Sequence, residues 1–218
     1  MTKKAFIFDL DGVIVDTAKY HFSAWQKIAS ELGIEFTPEH NEKLKGVSRI
    51  RSLDIILELG NIQASQEDKN KWLVQKNEDY LSYLVNMNFN EILPGVVPIL
   101  QFLKDNNQGI ALGSASKNAR PILEKTGIIS YFDAIVDGND VTNAKPDPEV
   151  FLQAARLLNT SNENSIVFED SVAGIQAANT AKMISVGIGE ETVLHEAKYI
   201  FKDFTYMDTS FIEALLNK

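Results

Sequence analysis

Short apolar runs rich in β-branched and aromatic residues alternate along this chain with longer segments whose apolar positions recur every three to four residues. The short runs are AFIFD from Ala5, GIALGS from Gly109, FDAIVD from Phe132, SIVFED from Ser165 and MISVGI from Met183. Strands alternating with helical stretches predict βαβ units, and hence an α/β, Rossmann-like parallel sheet with ligands at the carboxyl ends of the strands. Four of these runs end in polar groups, at Asp9 and Asp11, at Ser114, at Asp137, and at Glu169 and Asp170. That placement predicts one shared rim.

The interval from Asp11 to Gly109 is too long for a single crossover helix, so it reads as an insertion. Within it, AKYHFSAWQKIASELG carries Phe22, Trp25, Ile28, Ala29 and Leu32 at helical spacing. SRIRSLDIILELG repeats the pattern, and Gln66 to Val85 form a third long segment. The expectation is a helical cap domain, residues 17–92, inserted into a core made of 1–16 and 93–218. The chain returns at LPGVVPIL, a turn followed by a helix start. The polar run NTSNENS, from Asn159, reads as a solvated loop.

Composition narrows the classes. With 218 residues, 44% of them hydrophobic, the chain can bury a substantial core. It has no cysteine, which removes disulfides, thiolate metal sites and cysteine nucleophiles together. The net charge of −9, from 21 basic and 30 acidic side chains, opposes a polyanionic backbone and argues against nucleic acid. The first residues reach acidic positions too soon for a secretory segment, and no later apolar run suits a membrane span. A cytoplasmic protein without a membrane partner is expected. A small phosphorylated ligand stays open, because it needs only a local cluster of positive groups.

The chemistry starts at FIFDLDGVIVDT. Side chains alternate faces along a strand, so if the strand geometry continues through this segment Asp9 and Asp11 point together while Leu10 points away. Near 4 Å two such carboxylates repel by about 4 kcal/mol at an effective dielectric near 20, so a cation must sit there or one group must keep its proton. The first outcome makes a metal site and the second a general acid. Alone, the pair is equally an Asp-Gly turn. Two further segments add weight: NAKPDP presents Lys145 before a proline-stiffened helix start, and FEDSVAGIQAA places Glu169 and Asp170 between an apolar strand and a helix.

In this order, DLDGV from Asp9, GSASKN from Gly113, KPDP from Lys145 and EDSVAGIQAA from Glu169 resemble the haloacid dehalogenase-like phosphotransferases over nearly the whole chain. The resemblance implies that Asp9 is a nucleophile forming an aspartyl phosphate and that Asp11 is the general acid and base. It implies Mg²⁺ held by Asp9, Asp170, Glu169 and the backbone carbonyl of Asp11. Physical chemistry is compatible with these roles, since attack of a carboxylate on a phosphate dianion requires charge neutralisation. Lys145, a hard cation and the hydroxyl of Ser114 can each contribute to it.

The cap segments LKGVSRIRSL and TAKYHFSAW, the latter from Thr17, resemble the sugar-phosphate mutases of that family. This implies interconversion of β-glucose 1-phosphate and glucose 6-phosphate through an activating β-glucose 1,6-bisphosphate, by a monomer whose partner is a small phosphorylated sugar. Such an enzyme must also grip the phosphate that is not being transferred. Arg49 from the cap, with Ala115, Ser116, Lys117 and Asn118 from a helix start that doubles as an anion site, suits that task. Thr17 is counted with the substrate-binding residues, Lys45 and Gly46 are expected to face the sugar, and His21 and Lys76 to link Asp11 to cap closure. Each has a plainer alternative, an exposed helix residue for Arg49 and Lys76 or a boundary histidine for His21. Trp25 and Trp72 read as cap core, and His40 and His195 receive no role. A sugar-phosphate phosphatase of the same fold is the rival enzyme. A non-catalytic phosphosugar sensor would be expected to lose Asp9 or Asp11, and both are present.

Overall fold

A computed structural model of the chain describes residues 3–217. In chain order the elements are β1 (Ala5–Phe8), α1 (Ala18–Glu31), α2 (Pro38–Glu42), α3 (Arg49–Leu59), α4 (Gln66–Tyr83), α5 (Val96–Asp105), β2 (Gly109–Gly113) and α6 (Ala119–Thr126). They continue with β3 (Ala134–Val136), α7 (Glu149–Leu157), β4 (Ser165–Glu169), α8 (Val172–Thr180), β5 (Ile184–Ile188), β6 (Tyr199–Phe201) and α9 (Thr209–Leu216).

The strands form one parallel sheet in the order β3-β2-β1-β4-β5-β6. The strand order therefore reverses at β1, which opens a crevice beyond its carboxyl end. Both faces of the sheet are covered, and β1 is buried at every position because its residues serve two cores. Phe6 and Phe8 join Leu112 and Phe168 on one face, and Phe8 stacks on Phe168 with ring centroids 4.6 Å apart. Ala5 and Ile7 join Ala111, Val167 and Phe151 on the other.

Helices α1 to α4 lie between β1 and β2 and carry a third apolar cluster of their own. Trp25, Ile28 and Ala29 of α1 meet Leu53, Ile56 and Leu57 of α3, with Ile34, Phe36 and Leu44 filling between them. The two segments joining this insertion to the sheet run side by side: Asp16 N–H donates to Glu91 (3.0 Å) and Leu93 N–H to Ile14 (3.0 Å). Lys19 and the Tyr20 hydroxyl reach Glu91 across the same junction, each at 2.8 Å. His40, without an assigned role in the sequence, closes a capping box with Thr37 at the start of α2. Among the described residues no helix is long and apolar enough to cross a membrane.

Candidate active site

Asp9 follows β1 directly and extends its pairing with β4, donating its N–H to Phe168 (3.0 Å). The next turn depends on Gly12, which has φ +80° and lies so close to Asp170 that a Cβ there would collide with its carboxylate. Any side chain at that position would displace the Asp170 carboxylate. Asp9, Glu169 and Asp170 thereby bring carboxylate oxygens within 4.8 Å of one another.

Lys145 sits in this group, with Nζ 2.5 Å from Asp9 Oδ1 and 2.5 Å from Glu169 Oε1. Burial alone would push its ammonium down, but the two carboxylates reverse this and raise it above the usual lysine range. Asp9 is raised to about 7, chiefly by burial, with Lys145 opposing and Glu169 and Asp11 reinforcing. Asp170 is raised well above the carboxylate range by burial and by Glu169 and Asp9, with Lys45 partly offsetting them. A crowd of raised carboxylates is short of positive charge, and an all-oxygen donor set suits a hard divalent ion. Asp9 and Asp170 open on the cavity described below. Glu169 is fully buried, with Oε1 on Lys145 and Oε2 accepting from Ser171 N–H and Oγ at 2.9 Å each.

Asp11 faces differently from Asp9. Its Oδ1 accepts a hydrogen bond from Thr17 Oγ1, and its Oδ2 lies 3.8 Å from His21 Nε2. Thr17, expected among the substrate-binding residues, is instead fully buried and does not border the cavity; its hydroxyl is spent on Asp11. His21 Nδ1 is 2.8 Å from Lys76 Nζ. Lys76 is itself buried, 5.1 Å from the Trp25 ring and 4.6 Å from that of Tyr80. Burial, assisted by the Arg49 charge, brings the Lys76 ammonium down to about 7, and burial with the Lys76 and Arg49 charges holds His21 well below its ordinary value. Asp11 is raised by its enclosure, although 28% of its side-chain surface still opens outward. The chain Asp11, His21, Lys76 thus crosses from the end of β1 to α1 and α4.

These groups border one cavity of about 490 Å³ between the sheet rim and the helical insertion. From the rim come Ser114 to Asn118, and from the insertion Lys45, Gly46, Arg49 and Lys76. Arg49 opens α3, and its side chain makes no hydrogen bond or ion pair among the described residues, so its guanidinium is uncommitted. Lys45, expected to face the sugar, also borders the cavity but pairs with Glu42 (2.9 Å) and approaches Asp170 (3.6 Å). Asn118 donates to Asn77 of α4 (3.0 Å), a second link from rim to insertion.

One rim group departs from expectation. Asp137 is 1% exposed and does not border the cavity; its carboxylate takes Arg120 Nε (3.2 Å) and Asn139 instead. Trp25 belongs to the insertion core as expected and also edges the cavity. Sequence reasoning passed over Tyr80 and Ser171. Tyr80 lies one turn beyond Lys76, and Ser171 is an N-cap accepting from Gly174 N–H (3.1 Å), so both had a local signal in spacing or in the S-x-x-G pattern.

Residues 6–188 match the family described as haloacid dehalogenase-like hydrolase, and the chain belongs to that family. Within it, the chain is 43% identical over 189 residues to the β-phosphoglucomutase of Bacillus subtilis, covering 86% of this chain and 84% of that one. A crystal structure of β-phosphoglucomutase from Clostridium difficile superposes with a TM-score of 0.94 at 44% identity, over 99% of this chain and 98% of the other. The phosphorylated carbohydrates phosphatase of Thermotoga maritima is similar at 34% identity over 180 residues, 82% of this chain and 81% of that protein.

Proposed function

We propose that the protein is a β-phosphoglucomutase, in which residues 17–92 form a cap over a catalytic core of 1–16 and 93–218. The observation that carries this reading is that one cavity holds the Asp9–Lys145 group and, in addition, uncommitted donors suited to a second phosphate: Arg49, Lys117 and the loop before α6. The higher identity to a mutase than to a phosphatase supports it.

Asp9 attacks the phosphorus of the phosphate ester, and the bond from phosphorus to the sugar oxygen breaks as Asp11 gives that oxygen its proton. In the opposite direction Asp11 takes the proton of a sugar hydroxyl as that oxygen attacks the aspartyl phosphate. Phosphorylation of β-glucose 1-phosphate at the 6-hydroxyl yields the 1,6-bisphosphate. After the sugar is turned, loss of the 1-phosphate to Asp9 leaves glucose 6-phosphate and a phosphorylated enzyme. Lys145 holds the attacking carboxylate and supplies positive charge beside the transferring group. The Ser114 oxygen accepts Ser116 N–H (3.1 Å), which leaves the hydroxyl proton to donate to a phosphoryl oxygen. A magnesium ion held by Asp9 and Asp170, with the Asp11 carbonyl, would neutralise charge on the phosphoryl oxygens, while Glu169, expected as a further ligand, has its two oxygens taken by Lys145 and Ser171 and would act on the ion through that group instead. His21 and Lys76 reach Asp11 from α1 and α4, so the proton-handling group is completed only when the insertion sits over the rim.

Product analysis with β-glucose 1-phosphate, Mg²⁺ and a trace of the bisphosphate tests the reading. Glucose 6-phosphate is expected, whereas free glucose with inorganic phosphate would make the phosphatase the better reading.

Arg49→Ala separates the same two enzymes by a different route. Loss of a charge-assisted contact to the second phosphate should cost about 2 to 4 kcal/mol, a fall in mutase flux of roughly thirty-fold to a thousand-fold. Phosphorylation of Asp9 by acetyl phosphate, which carries no second phosphate, should change far less. Equal slowing of both reactions would mean that Arg49 supports the cap itself.

A further inference from the structure

The turn after β3 does not enter the phosphoryl chemistry above, yet three successive carbonyls of the loop before α6 are directed at it. Gly138 N–H donates to the Ser116 carbonyl (3.2 Å), and Asn139 Nδ2 donates to that of Lys117 (3.0 Å). The Ala115 carbonyl lies so near Gly138 that a Cβ there would collide with it, so only glycine permits the approach. Asn139 is in turn fixed by the buried Asp137, whose Oδ1 accepts both its N–H (2.8 Å) and its Nδ2 (2.9 Å). Arg120 braces the other Asp137 oxygen (3.2 Å).

Peptide planarity gives this arrangement a directional effect. In a trans peptide the carbonyl and the following N–H point in opposite directions, so anchoring one aims the other. With the Ser116 carbonyl held by the turn, the Lys117 N–H points away from it, and this N–H has no acceptor among the described residues. With the Lys117 carbonyl held, the Asn118 N–H is directed to Ser116 Oγ (3.2 Å), which leaves the Ser116 hydroxyl proton to donate. Ser116, Lys117 and Asn118 border the cavity, whereas Asp137 and Asn139 do not.

We infer that Asp137, Gly138 and Asn139 form a clamp that orients the donors of residues 115–118 toward the phosphate not being transferred, with Asn139 as its positioning residue. The inference rests on the reading of that loop as the second phosphate site. Asn139 is exposed and touches no part of the Asp9 group, so its removal should weaken grip on the sugar phosphate without disturbing transfer to Asp9.

The test compares Asn139→Ala and the near-isosteric Asn139→Asp, which cannot donate to the Lys117 carbonyl, with Lys117→Ala as a control on the loop. With saturating bisphosphate, both Asn139 variants should raise KM for β-glucose 1-phosphate by about three- to tenfold, the worth of one neutral hydrogen bond, with kcat little changed. Phosphorylation of Asp9 by acetyl phosphate should stay within about twofold of the unsubstituted rate, a difference too small to reflect a lost hydrogen bond. If Lys117→Ala raises KM while both Asn139 variants, with unaltered Tm, do not, the clamp is wrong and the site reading survives. If the Asn139 variants slow the acetyl phosphate reaction as much as the sugar reaction, the turn supports the whole rim and the inference also falls. An unchanged KM in Lys117→Ala would remove the phosphate site and the clamp together.

Discussion

Asp9→Asn should abolish both phosphate transfer and formation of the phosphorylated protein. An amide oxygen is a poor nucleophile and a poorer ligand for a hard cation, and neither deficiency is repaired by the surrounding residues. Asp9 is the carboxylate that combines an opening on the cavity, a contact with Lys145 and membership of the Asp9, Glu169, Asp170 group. Lys145 keeps Glu169 as a partner in the variant, so the buried ammonium is not stranded and the fold should persist. Mass measurement of the intact protein after exposure to acetyl phosphate gives the result directly. Phosphorylation of the Asp9→Asn variant, or turnover close to that of the unsubstituted enzyme, would remove Asp9 from the nucleophile's place.

Asp11→Asn is expected to behave differently, leaving structure and divalent-ion affinity nearly intact while slowing transfer by about 10² to 10⁴, the range associated with loss of a positioned proton donor. The side chain of Asp11 is not one of the three grouped carboxylates, and it is turned instead toward Thr17 and His21. An asparagine oxygen can still accept from Thr17, so the local packing has no reason to change. Titration with Mn²⁺ followed by rates at saturating metal separates the alternatives. Collapse of metal affinity with a normal rate on the loaded enzyme would make Asp11 a side-chain ligand.

The sequence by itself determined most of the sheet. β1, β2, β4 and β5 are buried on both faces, and a doubly covered parallel strand leaves an uninterrupted apolar run that needs no tertiary information to recognise. β6, only Tyr199–Phe201 and half-buried at the sheet edge, leaves no such signal and was not foreseen. The rim carboxylates were legible for a similar reason, since a polar group at the end of an apolar strand stands out against its neighbours. The helical insertion was visible in its spacing, whereas Arg49, Lys45 and Lys76 were named only through the resemblance of the cap segments to sugar-phosphate mutases, because helical spacing does not single them out. What each named side chain does with its charge was decided only by the tertiary structure. Asp137, just past β3, and Glu169, the last residue of β4, are both buried carboxylates at strand ends. Arg120 and the Gly138–Asn139 turn draw the first out of the cavity, while Lys145 and Ser171 hold the oxygens of the second behind Asp9. Lys45 meets Asp170, and His21 meets Lys76, across intervals that no local pattern encodes. Strand character follows from the neighbours along the chain, but the state and direction of a buried ionisable group follow from the charges and donors that folding brings within a few ångströms.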